Sequence, residues 1–292
     1  MYNPTLLDHI RNVQKAVKKT PTTANVAVIA STDVAIFDNF ILNDSIVVNA
    51  NGAPSAGPYV YGANYLGQIN LDFPIRDYRM NTASATDSGS QTQNGTINGG
   101  VTTGQSGLIT SMTDASMLFN GSTGYISLPT TGLPSGANAW TVEAWFKAPV
   151  VSGFMTLLCL GGNGVANAGM ELAISSSTVA VSDSLTPKVT SATISANTIY
   201  YAAATYNGST ITIYVYNSSG LFATNSGAYA YSLNYSGGIA QIGDDWYGDF
   251  FSGYLQGVGI YNTALSSGEI ALHATTGFST AIGAKYGFSS YS

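Results

Sequence analysis

Three carboxylates in six residues stand beside two aromatic rings in the run Asp244-Asp245-Trp246-Tyr247-Gly248-Asp249. Carboxylates this close repel one another unless water or a cation lies between them. Calcium takes such oxygens, with backbone carbonyls and waters, up to roughly six to eight ligands. The flat faces of Trp246 and Tyr247 suit the C–H faces of sugar rings, and the carboxylates suit their hydroxyl edges. The run is therefore the candidate glycan site, with Asp244, Asp245, Trp246, Tyr247 and Asp249 as its residues. Asp244, Asp245 and Asp249 are also candidate calcium ligands, and Asp114 and Asn120 are candidates to complete the set from another loop. The competing reading is a solvated acidic turn whose aromatics pack back onto the protein.

Catalytic chemistry is poorly represented elsewhere. The HExxH, CxxC, Walker and GxSxG patterns are all missing from the sequence. Of the two histidines, His9 and His273, the second lies at the end of a short helical pattern and reads as a packing or capping residue. The lone cysteine, Cys159, excludes an intrachain disulfide and sits in the apolar run MTLLCLGG, where a thiol reads as a small buried hydrophobe. The sequence predicts a binding protein and not an enzyme.

Composition narrows the partners. Only 8% of the 292 residues are charged, against about a quarter in an ordinary globular chain. The net charge is −6, and four of the nine basic residues (Arg11, Lys15, Lys18, Lys19) fall in the first nineteen positions. That balance argues against nucleic acid, whose phosphates need clustered Lys and Arg. It suits neutral partners such as glycans or other β-proteins. No apolar run is long enough to span a membrane.

The elements that must position these residues follow from periodicity. Leu6, Leu7, Ile10, Val13 and Val17 recur at helical spacing, which predicts an amphipathic helix over 1–22 that docks the chain into an assembly. Residues 23–79 hold strand-like runs such as NVAVIAST and predict a small β-rich docking segment, with a boundary at about 73–80. Residues 81–107 are almost free of large apolar side chains and read as a linker by composition alone. Beyond them, Trp140, Val142, Ala144 and Phe146 alternate with Thr141, Glu143, Trp145 and Lys147, the period of a strand. YYAAATYNGSTITIYVYN predicts a hairpin turning at Asn207-Gly208. IAQIGDDWYGDFFSGYLQGVGIYN predicts two strands across the acidic run. TALSSGEIALHA predicts a short helix capped by Ser266 or Ser267, with Glu269 in its first turn.

The order of these motifs resembles the laminin-G-like, concanavalin-type jelly roll. The resemblance begins at Tyr78-Arg79-Met80-Asn81, continues through Asp87-Ser88-Gly89, Asn94-Gly95-Thr96, Gly99-Gly100 and Phe119-Asn120-Gly121, and runs to Phe278. It implies a mainly β protein, an antiparallel sandwich over 80–278, followed by a tail at 279–292. It departs from the family where Gln256-Gly257 replace a common Asp-Glu before the last strand, and where Thr82 and Thr86 stand near a usual Glu and Gly. Some members of this group bind calcium at the sandwich rim. Glycosidases on such folds pair acids at alternate strand positions, whereas Glu143, Glu171 and Glu269 are isolated. With no export signal read at the N-terminus, the expectation is a virion protein of phage type. It would be made in the host cytoplasm and exposed on the particle as a decoration or tail component. Its expected partners are other virion proteins, cell-surface glycans and further copies of itself. A cell-surface or secreted adhesin is the alternative, and a glycoside hydrolase the third.

Overall fold

The computed structural model describes residues 65–279, apart from 82, 163, 164 and 184. The chain divides into two compact units, Met1–Gly62 and Ala63–Ser292. The expected N-terminal helix with Leu6, Leu7, Ile10, Val13 and Val17, the strand-like runs of 25–50 and the tail from 280 onward lie outside the described residues.

The described part is a two-sheet antiparallel sandwich with two helices. In chain order it comprises α1 (Tyr65–Leu71), β1 (Arg76–Tyr78), β2 (Thr96–Asn98), β3 (Val101–Gln105), β4 (Ser116–Asn120), β5 (Tyr125–Ser127), β6 (Trp140–Lys147) and β7 (Phe154–Gly161). There follow β8 (Gly169–Ser175), β9 (Thr178–Ser182), β10 (Pro187–Thr193), β11 (Ile199–Tyr206), β12 (Thr210–Asn217), β13 (Gly220–Ala228), β14 (Ile239–Ile242), β15 (Ser252–Tyr261) and α2 (Ser267–Phe278). The first sheet runs β13-β12-β11-β6-β15-β4-β3, with β1 also on β15; the second runs β10-β9-β8-β7-β14-β5-β2. This is the mainly β jelly-roll sandwich that the motif order implies.

Alternation along β6 builds the layers. Trp140, Val142, Ala144 and Phe146 enter the core between the sheets, with Leu158, Leu160 and Leu172 from the second sheet. Trp145 points the other way, into a second apolar cluster with Tyr65, Ile69, Tyr201, Tyr261, Ile270 and Ala274. That cluster joins the outer face of the first sheet to α1 and α2. Gly277 lets α2 approach so closely that a Cβ there would lie 2.1 Å from the Trp145 ring.

The sandwich starts earlier than the sequence indicates. Residues 65–71 are helical and not part of a β segment, because Tyr65 and Ile69 reach the outer cluster from one helix face. Arg76–Tyr78 then pairs with β15. The boundary therefore falls at 62/63 and not at 73–80. The polar segment 81–107 is no linker either. Asp87 Oδ1 accepts from the amides of Asp77 and Gly89, both at 2.8 Å, and its Oδ2 accepts from Gln93 N at 2.7 Å. The same oxygen lies 3.7 Å from the buried Arg76 Nε. Gly89 is required there, since a Cβ would come within 2.6 Å of the Arg76 backbone. One carboxylate thus replaces the apolar anchors that the segment lacks.

A second buried polar group fastens the helices. Glu143, fully buried on β6, accepts from Tyr201 Oη at 2.6 Å, Tyr65 Oη at 2.8 Å and Tyr261 Oη at 3.1 Å. His273 of α2 places Nδ1 2.8 Å from Glu143 Oε2 and Nε2 2.9 Å from Asp72 Oδ2. Burial alone would lower the His273 pKa, but the two carboxylates outweigh it and hold the imidazolium up to about 9. Burial likewise opposes ionisation of Glu143, yet the His273 charge and the phenol donors keep its carboxyl below the usual range. His273 is neither a cap nor simple packing, as the sequence reading had it. It is the ion that binds α2 to the sheet and to the segment after α1.

A histidine whose folded pKa is raised contributes stability that is complete below its ordinary pKa of 6.5 and is lost as pH rises through about 9. Unfolding free energy, from urea titrations on either side of that window, is expected to fall across it. His273→Gln should remove the slope and cost about 3–5 kcal/mol, because it takes the cation from between two buried carboxylates.

Candidate functional site

The acidic run connects β14 to β15 at one rim of the sandwich. Gly243 opens it with φ 83°, a conformation that favours glycine. A Cβ there would also meet the Phe119 ring at 2.5 Å. The loop then folds along β7, with Gly243 N donating to Leu157 O at 3.0 Å and Thr156 N to Asp249 O at 2.9 Å.

The three carboxylates do not all face outward. Asp245 is 4% exposed, and its Oδ1 accepts from the amides of Tyr247 at 2.9 Å and Asp249 at 3.0 Å. It is the internal brace of the loop, since short acidic side chains bond readily to backbone amides just ahead of them. Asp244 is 6% exposed, and both its Oδ1 and Asp245 Oδ2 are buried without a hydrogen-bond partner. Burial, reinforced by the charges of Asp245 and Asp249, raises the Asp244 carboxyl to about 6, even though an Asp245 backbone bond opposes the shift. Asp249 is half-buried and is raised for the same reasons, burial first and then Asp245.

The aromatics behave differently. Trp246 is 45% exposed and Tyr247 56%. The brace at Asp245 and the turn at Gly248 (φ 81°) hold these neighbouring rings out at the rim. Phe250 follows, with its ring centroid 6.4 Å from that of Tyr125 on β5.

The expected calcium set does not converge. Asn120 Oδ1 accepts three amides, from Ser122, Thr123 and Gly124, each at 3.0 Å, and so organises the turn after β4. Asp114 lies before the opposite end of β4, where its carbonyl accepts from Gln256 Nε2 at 3.2 Å. A five-residue strand separates the two by roughly 17 Å. Among the described residues no three of His, Cys, Asp and Glu are grouped to hold a metal ion. Asp244, Asp245, Asp249, Asp114 and Asn120 together do not fit a calcium shell.

Other expected features fall into place around the site. Cys159 is fully buried, but its cross-strand partners are Glu171 and Gln241, not apolar side chains. Burial raises its thiol pKa well above the ordinary value, with further contributions from Glu171, Asp245 and Asp244. Gln256, where the family often has a carboxylate, accepts from the amides of Leu108 at 2.5 Å and Ile109 at 3.1 Å. What sequence reading missed is the partnership of Phe250 with Tyr125, which are 125 positions apart and meet only through the fold.

This geometry is a lectin-like sandwich with an aromatic rim loop. A family model described as the concanavalin A-like lectin/glucanases superfamily matches residues 120–271, more than half of the chain, and the chain belongs to that superfamily. Among solved structures it is similar to domain 4 of a GH43 extracellular arabinanase from Geobacillus stearothermophilus in complex with arabinotriose. That match has 17% identity and a TM-score of 0.53, and it covers 69% of this chain and 98% of the other. It is also similar to the binding domain of Paraclostridial Mosquitocidal Protein 1, at 14% identity, TM-score 0.52, and 70% and 52% coverage. A third is the botulinum neurotoxin serotype G binding domain, at 10% identity, TM-score 0.51, and 68% and 50% coverage. The chain spans about half the length of these two binding domains. At such identities the likeness is one of fold. No curated protein matches the sequence.

An aspartate whose folded pKa is raised destabilises the fold when ionised, so stability falls as pH rises from 3.8 through about 6. Asp244→Asn is expected to flatten that fall and to raise the melting temperature at neutral pH by about 2–4 °C. Calorimetry of both proteins across the window measures it.

Proposed function

We propose that the sandwich is a carbohydrate-binding module whose contact begins at Trp246 and Tyr247. The observation that carries this reading is the pair of adjacent exposed rings on a loop whose backbone the Asp245 carboxylate braces. Large aromatic faces are usually buried. Exposed and rigid, they bind sugar rings without the entropy of ordering a loose loop. Membership of a lectin/glucanase superfamily and likeness to a domain in complex with arabinotriose support the same reading. Binding, not hydrolysis, is the proposed activity. Glu143 is sealed beneath the helices, Asp245 is taken up in bracing its own loop, and Asp244 is buried.

Trp246→Ala is expected to abolish retention on a glycan array while shifting the melting temperature by only about 1–2 °C, as surface substitutions do. Undiminished binding in that variant would sink the proposal.

The setting we propose is the surface of a phage-like particle, with the module carried in several copies so that weak single-site binding becomes useful. The composition, poor in charge and rich in Ser, Thr, Asn and Gly, supports it. Light scattering and negative-stain microscopy of the full chain, beside a chain lacking residues 1–62, test the assembly role. Particles from the first and monomers from the second are expected. Monomers from both would favour a cell-surface adhesin.

A further inference from the structure

We propose that the glycan site extends from the loop onto the outer face of the second sheet and takes a neutral oligosaccharide chain, not a single sugar. This rests on the reading of the loop as a glycan site. Strand alternation sets the platform. Ile126 and Ile242 are buried in the core and Ile97 packs against it, so Asn98, Tyr125, Ser127 and Gln241 point outward from β2, β5 and β14. Cross-strand register pairs Asn98 with Tyr125 and Ser127 with Gln241. The Phe250 ring lies beside Tyr125 at 6.4 Å and is inclined by 49°. Both residues are half-buried.

Polar groups border the rings as a sugar requires. Asn98 Nδ2 donates to Ser127 Oγ at 3.2 Å and to Thr96 O at 2.8 Å, which fixes the amide at the edge of the Tyr125 ring. Gln241 Oε1 has no hydrogen-bond partner, a cost that a hydroxyl donor would remove once the amide turns toward it. From β2 to β14 the platform spans two strand spacings, roughly 10 Å. Phe250, Trp246 and Tyr247 then continue it along the loop. A surface of that length fits a chain of several sugars.

Charge selects the class of chain. Asp244, Asp245 and Asp249 lie in the chain between Gln241 and Phe250 of the platform. The four described Lys and Arg residues stand elsewhere: Arg76 with Asp87, Arg79 with Asp77, Lys188 with Asp183, and Lys147 on the first sheet. Sialic or uronic acids would meet an uncompensated negative field, whereas neutral sugars meet none.

Calorimetric titration of the full chain tests this. The probes are disaccharides and hexasaccharides of arabinan, galactan and β-glucan, with sialyllactose and an oligogalacturonate as the anionic set. In at least one neutral series the hexasaccharide is expected to bind about tenfold tighter than the disaccharide, with no binding of the anionic set. Tyr125→Ala should erase that tenfold gain and leave disaccharide binding unchanged. Asn98→Ala, a milder change at the platform edge, should do the same without disturbing the melting temperature. Trp246→Ala should remove both ligands. Affinity independent of chain length, hexasaccharide binding untouched by both platform variants, or equal binding of the anionic set would overturn the platform while leaving the loop reading intact. No binding of any glycan would overturn both.

Discussion

The structure depends on one buried carboxylate. Glu143 sits on a central strand of the first sheet, and every group around it is a donor or a cation: three phenols and the His273 imidazolium. An isolated ion in that position would be prohibitively expensive to bury. Because it is fully paired, it instead fixes where α1 and α2 lie. Asp72 completes the bridge from the segment after α1 to α2. The outer face of the first sheet is closed by this arrangement, with Trp145 packed under Phe278 and Tyr65 at ring distances of 4.6 and 5.6 Å. The proposed binding surface lies away from that closed face, at the rim and at the β2-β5-β14 end of the second sheet.

The same logic, one carboxylate collecting donors, recurs where apolar side chains are scarce. Asp87 gathers three backbone amides and the Arg76 charge. Asp245 gathers two amides and sets the exposed rings. Glu269 closes a reciprocal cap with Ser266, accepting from its amide at 2.8 Å while Ser266 Oγ accepts from Glu269 N at 3.3 Å. Asp183 takes Lys188 at 3.0 Å and the amide of Thr186 at 3.1 Å. A chain with so few charges places many of them inside its architecture.

Regular elements were legible because their signals are local. The alternation of β6, the Asn207-Gly208 turn and the Ser266–Glu269 cap all appear as the spacing predicts. Segments held by distant partners were not legible. The run from 81 to 107 reads as a linker because nothing nearby tells that Asp87 will bind Arg76, and Tyr65–Leu71 reads as part of a β segment because its apolar partners lie near Trp145 and His273. The site was half legible. Adjacency of Trp246 and Tyr247 announces a rim platform, but only the fold shows that Asp245 points inward, that Asn120 is consumed by its own turn, and that Tyr125 meets Phe250.

The low charge content therefore bears on function through what it leaves unoccupied. With Arg76, Arg79 and Lys188 committed to Asp87, Asp77 and Asp183, and Lys147 on the first sheet, none of the four described Lys and Arg residues belongs to the proposed platform. Long-range steering, which speeds encounters between opposite charges, is not available to this site. In the proposed site, recognition would rest on ring stacking and on the amides of Asn98 and Gln241, whose strength falls little with salt. Such contacts are individually weak. A module built this way gains useful affinity from the length of the chain it binds and from the number of copies presented together. The proposed extended platform and display in several copies would thus be two answers to a single constraint: a binding surface that works through rings and amides and not through ion pairs.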